Sequence, residues 1–189
     1  MTQNPILKVL STFLRHRVKA LLIGGQACIL YGAAEFSRDI DLSPLITAEN
    51  LEDLREVLKE LEAEPVFYPD LSEDALLKGH ACHFRCQRKD LKGLRIDVIG
   101  VMRGVDAFHE LWKRRKEVEV PEIGRIVLIG LSDLVKSKKT QKIILQLGPV
   151  MRFVNTTYPE HKSLISGRKY GPWTLELPAG ESVSLNCKY

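Results

Sequence analysis

The spacing of apolar positions divides most of this chain into short helices and strands. Ile6, Val9, Leu10, Phe13 and Leu14 recur at helical intervals. Asn4 and Pro5 stand before them as a cap and a first-turn proline, so a helix is expected to about Val18. Lys19 to Ile23 reads as a short, fully buried strand, and Gln26 to Tyr31 as a short helix that starts at the turn Gly24-Gly25. The first free N–H groups of that helix would face whatever anion the turn holds. Asp39 to Ser43 is the next strand. Thr47 then caps a strongly amphipathic helix with Leu51, Leu54, Val57, Leu58 and Leu61 on one side. Pro65 ends it, Val66 to Tyr68 reads as a strand, and Pro69 to Lys78 as a polar loop or short helix.

His80 to Gln87 and Leu94 to Val101 predict a β-hairpin around Lys89-Asp90-Leu91-Lys92-Gly93. Asp106 is expected to cap a helix running to about Arg114. Glu117 to Pro121 and Arg125 to Ile129 predict a second hairpin around Glu122-Ile123-Gly124, and Ser132 a last capped helix to about Leu147. After Gly148-Pro149 the pattern weakens, with isolated aromatics (Phe153, Tyr158, Tyr170, Trp173) among glycines and prolines. Residues 1–148 are therefore expected to form one domain, and 149–189 a tail that is irregular or made of short strands.

Within this pattern the chemistry gathers at three places. Asp39 and Asp41 lie two apart on a strand, so they share a face while Ile40 points into the core. At about 4 Å their repulsion is on the order of a few kcal/mol at an effective dielectric near 20, a cost a bound cation removes. Oxygen-only ligands suit Mg²⁺. The second place is the strand Leu94 to Gly100, where Arg95 and Asp97 share one face and Ile96 and Val98 the other. If it lies beside the first strand, three aspartates converge. The third is Gly24-Gly25, fourteen residues before Asp39. Neither the dinucleotide GxGxxG pattern nor the Walker loop accounts for these glycines.

In this combination the chain resembles the nucleotidyltransferase superfamily of the DNA polymerase β type. It looks most like bacterial minimal nucleotidyltransferases, including the toxin-type enzymes of abortive-infection and toxin–antitoxin systems. The matching residues are Gly24-Gly25, the spacer through Tyr31-Gly32, the pair Asp39-x-Asp41, and Arg95-Ile96-Asp97-Val98, over roughly residues 18 to 142. The resemblance implies an α/β (α+β) fold in which a small mixed sheet carries the carboxylates and helices cover its other face. It implies two Mg²⁺ ions, with Mn²⁺ as a substitute, held by Asp39, Asp41 and Asp97 as catalytic residues. Asp97 would ligate the second ion and help deprotonate the attacking hydroxyl.

The same resemblance implies transfer of a nucleoside monophosphate from an NTP such as ATP to an acceptor hydroxyl, with release of pyrophosphate. The acceptor would be a tRNA 3′ end, a protein or a small molecule, with RNA or protein preferred, and an antitoxin is an implied partner. Gly24 and Gly25 would let the backbone approach the phosphates, Ser37 and Arg38 could touch one, and a lysine on the last helix points to Lys136. Two departures stand out. Glu35 occupies a position where many relatives carry a base, and the stretch after Lys142 turns apolar (Ile143, Ile144, Leu145, Leu147) where relatives carry charge. They keep open an alternative, a catalytically degenerate module of the same fold that binds RNA or a partner protein, and they suggest a packing or homodimer surface.

Charge and composition change this picture little. The net charge is only +4, yet the stretch from Trp112 to Lys142 carries nine basic residues against four acids, enough to interest a polyanion. A solvated helix face is the competing explanation. No apolar run approaches the roughly 20 residues that span a bilayer, and the N-terminus does not pattern as a signal peptide, so a cytoplasmic location is expected. Four cysteines are too sparse for a disulfide framework and read as free thiols. His80-x-Cys82-His83-xx-Cys86 has zinc-ligand residue types, but strand alternation sets His83 opposite the others, and packed strand residues are the simpler account.

Overall fold

The computed structural model describes residues 4–34, 36–144, 173–176 and 182–185, with side chains on the last long helix described as far as Lys139. The first helix, α1 (Pro5–Arg15), is capped by Asn4, whose side chain accepts the Ile6 N–H at 2.9 Å. It stops short of Val18 because Arg17 turns left-handed at φ 57°. Strand β1 (Ala20–Ile23) runs directly into α2 (Gly24–Leu30), so both glycines lie inside the helix rather than before it. Strand β2 (Asp39–Pro44) and helix α3 (Ala48–Glu60) follow, the latter capped by Thr47 as expected.

Further boundaries differ from the sequence pattern. Helix α3 ends at Glu60, not at Pro65, because Glu62 adopts φ 49° and turns the chain. That frees β3 (Ala63–Pro65) to pair three residues earlier than the expected Val66 to Tyr68. Pro65 is tolerated there because β3 is an edge strand and needs no donor on its outer side. After α4 (Glu73–Leu77), strands β4 (Ala81–Cys86) and β5 (Arg95–Ile99) form the expected hairpin. The next helix, α5 (Phe108–Lys113), is preceded by Ala107 without a side-chain cap; Asp106 instead accepts from Arg114 Nη2 at 2.7 Å. Strands β6 (Lys116–Val120) and β7 (Gly124–Leu128) make the second hairpin. Helix α6 (Leu131–Ile144) then starts one residue before Ser132, which falls in its first turn.

The seven strands make one mixed sheet in the order β3-β4-β5-β2-β1-β7-β6, parallel at β2/β5 and β1/β7 and antiparallel elsewhere. One face packs Ile40, Leu42, Phe84, Cys86, Ile96 and Val98 against Val9, Leu10 and Phe13 of α1 and Leu51, Leu54, Val57 and Leu58 of α3. On the other face Leu21 and Ile23 meet Ala27 and Cys28 of α2, Leu111 of α5, and Leu134 and Val135 of α6. Helices thus cover both faces, not one, but the second face is covered mainly over β1.

In the C-terminal stretch β8 (Trp173–Glu176) pairs antiparallel with β9 (Ser182–Leu185). Glu35, Cys187 and the end of the expected helix at Leu147 lie outside the described residues. Among the described residues no helix is long and apolar enough to cross a membrane.

Candidate functional site

The β2/β5 ladder decides the geometry. Its parallel register sets Asp41 beside Asp97 and Asp39 beside Arg95, while Ile40 and Ile96 pair between them and are fully buried on the other face. On the far side of β5, the hairpin register sets His83 opposite Asp97 and Arg85 opposite Arg95. One face therefore carries two rows: Asp41, Asp97 and His83, then Asp39, Arg95 and Arg85.

Contacts within these rows are close. His83 Nδ1 stands 2.8 Å from Asp97 Oδ1. The Arg95 guanidinium reaches Asp97 Oδ2 at 3.1 Å and Asp39 Oδ2 at 3.7 Å, bridging two of the three aspartates. Asp41 accepts the Gly25 N–H at 3.3 Å. Burial pushes the Asp41 carboxyl above the usual carboxylate range; the charges of Asp97 and Asp39 add to this, and Lys138 and the Gly25 N–H oppose it.

Gly24 is the residue that only glycine can supply. Its φ is 62°, and a Cβ placed on it would stand 1.9 Å from Asp41 Oδ2. Asp41 and Gly24 border a cleft of about 300 Å³ whose polar side is Asp41, Arg103, Ser137 and Lys138, and whose apolar side includes Ile99, Val101 and Met102.

The remaining sequence candidates are placed less centrally. Ser37 donates its hydroxyl to the Asp39 carbonyl at 3.2 Å, and its own carbonyl accepts from Gln26 Nε2 at 3.1 Å, so it ties the loop before β2 to α2. Arg38 lies over the exposed Phe36 ring. Lys136 is 3.9 Å from Asp133 and is not among the residues that line the cleft. Lys138 does line it: two positions along a helix is a rotation of about 200°, which turns one lysine in and the other out. Arg103, Lys138 and His83 are therefore the residues that sequence reasoning did not single out for the site. The signal for His83 was present, since alternation along the hairpin already put it on the face of Asp97.

The donor set bears on the metal. Asp41 and Asp97 supply hard oxygen ligands in register on neighbouring strands, Asp41 at the edge of the cleft, and this chemistry fits Mg²⁺. Among the described residues, however, no three His, Cys, Asp or Glu side chains are gathered closely enough to hold an ion. Asp39 is instead drawn to Arg95. The zinc-type segment is resolved plainly: Cys82 and Cys86 are buried in the core as free thiols, and His83 faces the opposite side.

No family model matches this chain, and no curated protein matches it. A solved structure of a nucleotidyltransferase candidate from Thermotoga maritima is 14% identical, with a TM-score of 0.49 over 73% of this chain and 81% of that one.

Proposed function

We propose that this protein is a metal-dependent nucleotidyltransferase that moves a nucleoside monophosphate from an NTP to an acceptor hydroxyl. The observation that carries this reading is the pair Asp41 and Asp97, held in register on parallel strands, with the Asp41 carboxylate packed directly on Gly24 at the edge of a basic cleft. Asp41 and Asp97 would hold Mg²⁺, with Asp39 available on the same face. When bound, the ion supplies charge neutralisation for the phosphates and a lowered pKa for the attacking hydroxyl. Lys138 and Arg103 meet the phosphates from the polar side of the cleft, while Ile99, Val101 and Met102 offer an apolar wall to the sugar and base. The acceptor oxygen bonds to the α-phosphorus, the bond from that phosphorus to the pyrophosphate oxygen breaks, and the hydroxyl proton passes by way of Asp97 to water.

One observation favours a second reading, a non-catalytic binding module of the same architecture. Arg95 already pairs with Asp39 and Asp97 and offsets part of the charge a metal would otherwise balance. Isothermal titration of each NTP with Mg²⁺ separates the two. Metal-dependent binding by the wild type that is lost in Gly24→Ala and in Asp41→Asn supports the enzyme. Failure of the wild type to bind any NTP sinks it and leaves the module.

A further inference from the structure

Asp39, Arg95 and Asp97 form a group with its own charge balance. Register sets Arg95 beside Asp39 on the neighbouring strand, and alternation sets it on the face of Asp97 two residues on. Its guanidinium stands 3.1 Å from Asp97 Oδ2 and 3.7 Å from Asp39 Oδ2, so two carboxylates share one cation. On its other side the hairpin register brings Arg85 directly across the ladder. That like charge disfavours a turn of Arg95 away from the carboxylates. A guanidinium also keeps its charge at any pH at which the fold is stable. The two strands therefore build a permanent cation between Asp39 and Asp97.

This cation bears on how many metal ions the face can take. Asp97 meets a nitrogen at each oxygen, His83 Nδ1 at 2.8 Å from Oδ1 and Arg95 Nη2 at 3.1 Å from Oδ2. A carboxylate offers about four lone-pair sites, so Asp97 keeps capacity for a further bond beside Asp41. Asp41 accepts the Gly25 N–H at 3.3 Å and borders the cleft, whereas Asp39 belongs to the row of Arg95. Three carboxylates against one guanidinium leave two net negative charges, which one divalent ion balances. A second ion between Asp39 and Asp97 would meet the guanidinium at close range as a like charge of double weight. In keeping with this, no three acidic or other metal-ligating side chains gather closely among the described residues.

We propose that this site takes one divalent ion, at Asp41 and Asp97, and that Arg95 stands where the second ion implied by the family resemblance would stand. Asp39 is then a positioning residue that holds Arg95, rather than a metal ligand. This rests on the metal-dependent reading above and fixes its stoichiometry.

The test uses Mn²⁺ alone, counted by the electron paramagnetic resonance signal of the free ion as it is titrated into full-length protein. Wild type is compared with Arg95→Gln, Arg95→Lys, Asp39→Asn and Asp41→Asn, and melting temperatures verify folding. The expected counts are one ion for the wild type, one for Arg95→Lys, which keeps the charge, and two for Arg95→Gln, which removes it. Asp39→Asn should keep its ion and Asp41→Asn should lose it. Two ions on the wild type overturn the proposal and leave metal-dependent transfer standing. So does a single ion on a folded Arg95→Gln, or loss of the ion in Asp39→Asn. Should Arg95→Gln fail to fold, Asp39→Asn decides: an ion retained supports the assignment and an ion lost overturns it. A wild type that binds no Mn²⁺ sinks the metal-dependent reading itself, and the proposal with it.

Discussion

Ile96 and Asp97 are adjacent in the chain and belong to different parts of the molecule. Ile96 is fully buried beside Ile40 in the core that α1 and α3 close; Asp97 lies on the opposite face between Asp41 and His83. The same alternation holds along β2 and β4, so each strand that builds the core also builds the site. The apolar face is covered by helices along its length. The polar face is covered near β1 and left open over β4. Core and site are therefore separable by mutation at neighbouring positions, although both need the same register.

The sharpest contrast comes from that adjacent pair. Asp97→Asn is expected to lower transfer activity by about a thousandfold, the several kcal/mol that a bound metal supplies, while leaving denaturant stability close to wild type. Single-turnover transfer measured beside urea unfolding reads both. Ile96→Ala should do the reverse in origin: a loss of about 2–5 kcal/mol in unfolding free energy from the cavity it leaves, with activity per folded molecule retained. If the two variants lost stability equally, the faces would not be independent.

A smaller effect separates the two lysines of α6. Lys138→Ala should weaken NTP binding about tenfold, the scale of one charge-assisted hydrogen bond, and Lys136→Ala should leave it unchanged. Titration calorimetry on the pair decides it; equal losses would mean that the cleft is not where the phosphates sit.

The smallest effect concerns the cost of an unliganded site. Asp41 has its carboxyl pKa raised by burial, so ionising it is harder in the folded chain than in the unfolded one. Below the unfolded value both states are protonated and there is no cost. The cost appears as pH rises above that value and is complete once pH passes the folded pKa. Asp41→Asn should therefore raise stability at neutral pH and leave it unchanged at a pH below the unfolded carboxylate value. Thermal melts at the two pH values check it. A variant less stable than wild type at pH 7 would contradict the burial argument.

Much of this arrangement was legible in the sequence because it rests on period-two alternation and on capping residues. Asp39 with Asp41, the strand bearing Asp97, the β4/β5 hairpin and the Thr47 cap all follow from local pattern. What local pattern could not carry was angular position on a helix and register between distant segments. Lys136 and Lys138 look equivalent in a lysine-rich run, and only the packing of Leu134 and Val135 fixes which one turns toward Asp41. Helix ends that depend on a left-handed residue, at Arg17 and Glu62, were likewise invisible, because neither is a glycine. Alternation puts Arg95 on the face of Asp97, but its reach to Asp39 required the neighbouring strand.

The parallel ladder between β2 and β5 has a consequence for how the protein is made. Parallel neighbours cannot be joined by a tight turn, so α3, β3, α4 and β4 must all be synthesised before Asp97 can join Asp41. Helix α6, with Lys138, comes later still, after β7 has taken its place along the first strand. A ribosome-bound chain therefore carries Asp39 and Asp41 through more than fifty further residues before Asp97 exists to join them. The candidate site is assembled only when the domain is nearly whole.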